Sequence, residues 1–147
     1  MHASRRKGPT RAEKNAQVVR RFYDELWNEW RLELADEILT QDLRFRGSRG
    51  LTVIGREAFK SYVEETRAAF PDWHNQIDEL LTVADRVVTR LTWSGTHRGH
   101  FAGLEPSGAR AEYVGAAFFR LSDAMIAETW VVGDSHVFWE ALTRAQR

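Results

Sequence analysis

The chain has 147 residues, with 21 Lys and Arg balanced by 21 Asp and Glu, and it contains no Cys. This length predicts one domain with its own core, and the missing Cys excludes disulfides, thiolate nucleophiles and Cys-based zinc sites. The balanced charge argues against nucleic acid and anionic membranes as partners. No long apolar run follows the basic N-terminus, so the sequence predicts a cytoplasmic protein without a secretory signal or a membrane span.

The first half of the chain is predicted to be mainly helical. Residues 1–10 are interpreted as a disordered basic tail and residues 11–147 as the single domain. Apolar residues at three-and-four spacing predict helices, and the third of these begins after Gly55 and ends at Pro71. The predicted helices cover residues 11–30, 32–39 and 56–70, and a strand begins at residues 43–45.

Beyond Pro71 the apolar period changes to two, which is typical of strands. The four predicted strands cover residues 73–83, 86–96, 111–121 and 125–132, and a short helix follows over 135–146. Compact turns at 84–85 and 122–124 favour hairpins, whereas 99–108 is a longer loop. The predicted fold class is therefore α+β: a curled antiparallel sheet, shaped as a half-open cone, with three N-terminal helices packed on it and a short C-terminal helix.

Three segments carry a family resemblance. Residues 95–108 read Gly-Thr-His-Arg-Gly-His-Phe-Ala-Gly-Leu-Glu-Pro-Ser-Gly, residues 119–134 end in Glu-x-Trp-x-x-x-Asp, and residues 22–28 read Phe-Tyr-Asp-Glu-Leu-Trp-Asn. Together they resemble the SnoaL-like polyketide cyclases of the nuclear transport factor 2-like superfamily, with Ser107 in place of Thr and Ala124 where Gly is usual. The resemblance implies a cofactor-independent enzyme in which Asp134 is the acid/base of an intramolecular aldol ring closure.

Strand alternation bears on Asp134 independently of that resemblance. Glu128, Trp130, Val132 and Asp134 share parity and project to one face, so an inward Trp130 would bring Asp134 inward with it. An apolar pocket would raise the pKa of the carboxyl group toward a range useful for proton transfer. In the alternative, Asp134 caps the last helix by accepting N–H bonds, which would lower its pKa. Both interpretations stay open.

Histidines and aromatic rings supply the other candidate site residues. His97 is predicted to be catalytic together with Asp134, as a hydrogen-bond partner at the cavity mouth that either orients substrate or holds the loop, while His100 and His136 are weaker substrate contacts. No metal or cofactor is predicted. The six Trp, eight Phe and three Tyr favour a cavity for a flat polycyclic or isoprenoid-like ligand. Its predicted wall is Tyr23, Trp27, Phe59, Tyr62, Trp93, Phe118 and Trp130, with Tyr23 as a hydrogen-bond donor to a substrate oxygen.

Three functions compete at this stage. The first is polyketide cyclase-like aldol closure of a hydrophobic, carbonyl-containing small molecule, and the second is isomerisation or epoxide hydrolysis on the same scaffold. The third is a non-catalytic binding or dimerisation module, which a cavity without a buried carboxylate would favour. One sheet face is expected to lack a helical cover, which predicts a homodimer.

Overall fold

The structure, a computed structural model, describes residues 8–147. The predicted tail falls largely on residues 1–7, outside the described residues. The helices are α1 (Arg11–Arg21), a π-helical segment (Phe22–Trp27), a 3₁₀ turn (Leu32–Leu34), α2 (Ala35–Ile38), α3 (Arg56–Ala69) and α4 (Ser135–Arg144). The strands are β1 (Leu39–Arg46), β2 (Thr52–Ile54), β3 (His74–Val83), β4 (Arg86–Thr96), β5 (Arg110–Ser122) and β6 (Met125–Gly133).

The first helix changes type part-way along its length. Thr10 and Glu13 have the spacing of a capping box, and the Thr10 hydroxyl accepts a hydrogen bond from the Glu13 amide at 3.1 Å. After Arg21 the chain continues as a π helix, in which the Asn28 amide donates to the Tyr23 carbonyl at 2.9 Å. The helix predicted over 11–30 therefore consists of an α and a π portion and ends at Trp27, three residues earlier than predicted. The π portion carries buried Tyr23 and Trp27.

The sheet confirms the predicted α+β class. Its strand order is β2-β1-β6-β5-β4-β3, and β3 to β6 form the predicted antiparallel meander. The pairing of β1 with β6 is parallel, which the sequence analysis did not predict, since β1 enters from a helix and not through a hairpin. The short strand β2 was also missed, because three residues are too few to establish a period.

The sheet has two different faces. Helices cover the inner face, where alternate side chains of the central strands are buried: Leu91, Trp93, Tyr113, Ala117, Phe119, Thr129 and Val131. The intervening side chains point outward, and four large apolar ones stay exposed: Val114, Phe118, Trp130 and Val132. Register shifts in the β3–β4 and β5–β6 pairings add local bends to the sheet. The inner face therefore forms a concave floor beneath the helices.

Candidate functional site: an aromatic cavity

Two adjoining chambers lie between the helices and the inner face of the sheet. Five side chains line both of them: Trp27, Ser48, Tyr62, Trp73 and Tyr113. Each chamber has a volume of about 40 Å³, which is room for a few water molecules. A ring-sized ligand therefore requires side chains of the cavity wall to move.

Two glycines shape the floor of this cavity. Trp93 on β4 lies close to the backbone of β5 and β6, and a Cβ atom at Gly115 would stand 2.6 Å from its ring atom Cζ3. A Cβ atom at Gly133 would stand 3.0 Å from the same atom. Any side chain at Gly115 would force Trp93 away from the sheet, so these glycines let the indole lie close to the strands.

Phenol groups supply much of the polarity of the cavity. The hydroxyl groups of Tyr113 and Ser48 are 2.9 Å apart, which ties β5 to the loop after β1. Burial raises the pKa of Tyr113 and of Tyr23 above the usual value, and it outweighs the opposing effects of Ser48 on Tyr113 and Thr89 on Tyr23. Both phenols therefore remain protonated at neutral pH, as hydrogen-bond donors and not as bases.

Arg49 is the one charged side chain among the described residues that line the chambers. Its guanidinium carbon lies 4.5 Å from the centre of the Phe101 ring and 5.3 Å from that of Tyr62, within range of cation–π attraction. No Asp, Glu or His side chain lines either chamber within residues 8–147. The charge of the described cavity wall is therefore positive.

The aromatic residues predicted to form the cavity wall fall into three groups in the structure: cavity lining, buried core and outer sheet face. Tyr23, Trp27, Tyr62 and Trp93 line the cavity. Phe59 is fully buried in the core, outside the cavity lining.

The placement of Phe118 and Trp130 in the cavity wall is wrong. They are 48% and 51% exposed and pair with each other across β5 and β6 on the outer face. The Arg46 guanidinium lies 4.5 Å from the Trp130 ring and donates to the Val131 carbonyl, so it stabilises the outward indole.

Asp134 shares the outer face with Trp130. The parity argument was right, but the inward direction was wrong, because the shared face is the one that the helices leave open. Asp134 is exposed beside Arg90, Val114 and Val132. It also occupies the N-cap position of α4 without a capping hydrogen bond from its side chain. Neither of the two environments considered for the carboxylate is therefore present.

His97 holds the loop that follows β4. It is fully buried, its Nδ1 lies 2.9 Å from the Ser107 hydroxyl, and the Ser107 amide donates to the same nitrogen. Burial lowers the pKa of His97, so the ring is neutral at pH 7. His97 does not line the chambers, so the structure does not place it where a catalytic residue was predicted. Its position corresponds to the loop-holding alternative.

The other two histidines also lie apart from the cavity. His100 is exposed, with Nε2 3.4 Å from a Glu105 carboxylate oxygen, and His136 is exposed on α4. Neither lines a chamber, so the structure does not place them where they were predicted to contact substrate. Over residues 8–147, no group of three or more His, Cys, Asp or Glu is arranged to hold a metal ion.

Sequence reasoning missed several lining residues, chiefly Ser48, Arg49, Trp73, Tyr113 and Phe138. Alternation along β5 provided a signal for Tyr113, which shares parity with buried Ala117 and Phe119. Nothing comparable marked Arg49, because it lies in the five-residue loop 47–51 between β1 and β2.

Comparison with known proteins agrees with this architecture. The family model for SnoaL-like polyketide cyclases matches residues 17–138, and the chain therefore belongs to that family. Similar solved structures include a candidate SnoaL-like polyketide cyclase from Jannaschia sp. CCS1, with 21% identity, TM-score 0.84 and coverage of 93% of this chain and 97% of that one. No curated protein matches the chain.

Two further similar structures come from Streptomyces. AclR, a candidate hydroxylase from Streptomyces galilaeus, has 22% identity and TM-score 0.78, with coverage of 90% of this chain and 83% of its own. IdmH, a candidate polyketide cyclase from Streptomyces antibioticus, has 23% identity and TM-score 0.73, with coverage of 90% and 97%. At these identities the structures establish the shared fold. Within the described part of the chain, no helix has both the length and the apolarity needed to cross a membrane.

Proposed function

We propose that this chain binds a hydrophobic, carbonyl-containing small molecule in the aromatic cavity and promotes its enolisation, leading to intramolecular aldol closure as in a polyketide cyclase. The observation that carries the proposal is the composition of the cavity wall. Aromatic rings supply the apolar surface, while the phenols of Tyr23 and Tyr113 and the Arg49 guanidinium supply hydrogen-bond donors. Such a wall is suited to a flat ligand with oxygen substituents.

The donors match the charge that the reaction develops. When an α-carbon loses its proton, negative charge moves to the carbonyl oxygen, and donors already held in an apolar site stabilise that oxyanion. The enolate carbon then attacks a second carbonyl carbon of the same molecule and forms the ring bond, while the π bond of that carbonyl breaks and its oxygen takes back the proton that the acid/base group removed. Because burial raises the pKa of Tyr113, its phenol keeps the proton that this stabilisation requires.

The reaction also needs a base that accepts the α-proton. No carboxylate or imidazole lines the described chambers, and Asp134 lies exposed on the opposite face of the sheet. Asp134 stays our hypothesis for the acid/base group. It requires that the junction between β6 and α4 turn the carboxylate inward when the ligand binds.

A second candidate function, ligand binding without turnover, is favoured by this same absence of a base from the described wall. The two functions differ in one measurable step, the exchange of α-protons. Incubation of the protein with an aryl methyl ketone in D₂O, followed by proton NMR, measures deuterium entry into the methyl group. Quenching of tryptophan fluorescence measures binding in parallel, since Trp27, Trp73 and Trp93 line the cavity.

We expect wild type to bind the ketone and to accelerate exchange. Removal of one oxyanion donor in Tyr113→Phe should slow exchange by about 10²-fold. Binding without accelerated exchange would favour the non-catalytic function. Failure to bind would refute both functions for this ligand class.

We also propose a homodimer formed through the outer sheet face. Val114, Phe118, Trp130 and Val132 lie on adjacent strands β5 and β6 and are each at least 41% exposed. A contiguous apolar patch of this kind is typical of an interaction surface. A second copy is the proposed partner because a two-fold axis lets one patch pack against itself.

A further inference from the structure

Arg49 has no anionic partner, in contrast to several other arginines of the described domain. Arg21, Arg31, Arg56 and Arg120 each lie within 3.5 Å of a carboxylate oxygen. Arg49 forms no ion pair and no hydrogen bond with any residue of the described range 8–147. Its five N–H donors are therefore available to a ligand.

The loop that carries Arg49 is held firmly in place. The Gly47 amide donates to the Leu51 carbonyl and the Gly50 amide to the Gly47 carbonyl, both at 3.0 Å, which closes residues 47–50 into a tight turn. The Ser48 hydroxyl is tied to the Tyr113 phenol. A Cβ atom at Gly47 would stand 2.8 Å from the Tyr62 hydroxyl, so glycine there also lets Tyr62 approach. The turn thus presents a fixed cation beside two phenols.

We propose that Arg49 is an anion-recognition residue of the cavity, and that the ligand carries a carboxylate or a comparably acidic enol on a flat hydrophobic body. This inference rests on the proposed ligand-binding function and narrows its substrate class. The guanidinium is partly buried between the Tyr62 and Phe101 rings. An anion there would receive charge-assisted hydrogen bonds in a site largely shielded from water. Cation–π attraction to the two rings stabilises the position of the guanidinium without using its N–H donors in a hydrogen bond.

A pair of isosteric ligands tests the inference. The flat acid 2-naphthoate and its neutral analogue 2-naphthamide differ in charge and little in shape. Isothermal titration calorimetry measures the affinity of wild type, Arg49→Met and Arg49→Lys for both. Arg67→Met is the matched control, because Arg67 also lies over an aromatic ring, 5.3 Å from Trp30, but is exposed and outside the cavity.

We expect wild type to bind naphthoate about tenfold more tightly than naphthamide, as one charge-assisted contact would give. Arg49→Met should abolish this preference, because it weakens naphthoate binding more than naphthamide binding: the acid loses a charge-assisted hydrogen bond and the amide only a neutral one. Arg49→Lys should keep part of the preference, since it keeps the charge without the planar donor fork. Arg67→Met should bind both ligands like wild type.

Any of four results would overturn the inference. If wild type binds both ligands equally, or if Arg49→Met retains the preference, Arg49 does not recognise the anion, although the ligand-binding function survives because the amide still binds. If neither ligand binds to protein that circular dichroism shows to be folded, the inference and the proposed function fail together. Loss of the preference in Arg67→Met would likewise exclude a role specific to Arg49.

Discussion

Alkaline pH should destabilise the domain through two buried phenols. Tyr23 and Tyr113 are 3% and 7% exposed, and burial raises the pKa of both above the value near 10 that tyrosine has in an unfolded chain. Above about pH 10 the unfolded chain therefore releases protons that the folded protein retains, and the free energy of unfolding falls as pH rises. The stabilising contribution is complete below pH 10, and it declines through the alkaline range.

The size of the effect follows from proton linkage. Each phenol that ionises only after unfolding lowers the free energy of unfolding by about 1.4 kcal/mol between about pH 9 and pH 11, so the pair contributes about 2.7 kcal/mol. Urea denaturation at intervals over this range, followed by circular dichroism, measures the decline. Tyr23→Phe and Tyr113→Phe should each remove about half of the tyrosine contribution.

Lysines provide an internal reference for the same experiment. The hydrogen bond of Lys60 to Asp36 raises the pKa of Lys60, so loss of that interaction also destabilises the protein as pH rises. This part of the decline should remain in the double variant Tyr23→Phe, Tyr113→Phe. If the double variant loses stability with pH as steeply as wild type does, the buried phenols are not the source, and the argument that they stay protonated in the cavity is wrong.

Three further predictions concern the sheet. Asp134→Asn should leave ligand affinity within about twofold of wild type, since the side chain lies outside the cavity. The acid/base hypothesis requires that this variant also lose α-proton exchange. Unchanged exchange would contradict that hypothesis. Trp130→Ser should yield a folded monomer by light scattering coupled to size exclusion, whereas a persistent dimer would show that another surface associates. Ala124→Gly should raise the free energy of unfolding by about 1 kcal/mol, because Ala124 has a φ of 60° in the β5–β6 turn; Ala116→Gly within β5 should lower it, and equal effects would refute the turn argument.

Local patterns predicted most of the fold. The change of apolar period after Pro71 gave all four strands of the meander, with β4 matching its predicted bounds. The turns at 84–85 and 122–124 were also predictable from the sequence, because connections of two or three residues between strands favour a hairpin. The parallel pairing of β1 with β6 was not predictable in this way, since it joins residues 84 to 87 positions apart in the sequence and depends on how the helices pack.

The site was less predictable than the fold. The sequence identified four cavity residues, because the position of each aromatic residue in a helix or strand period predicts by itself that its side chain points inward: Tyr23, Trp27, Tyr62 and Trp93. Arg49 was not, because its importance arises from two rings, Tyr62 and Phe101, that come from distant parts of the chain. A loop arginine has no periodic neighbours, and its lack of a partner is a property of the three-dimensional arrangement.

The direction of Asp134 shows why period alone cannot orient a strand. Alternation groups residues by face, but it identifies the inner face only when the two faces differ in polarity. On β5 both faces are apolar: Ala117 and Phe119 are buried, while Val114 and Phe118 are exposed. The inner face is therefore the one that the helices cover, which is the face that carries Phe119. Asp134, two residues beyond exposed Val132, thus ends on the face that a second subunit would cover in the proposed dimer, and an acid/base role requires the β6–α4 junction to turn its side chain away from that face.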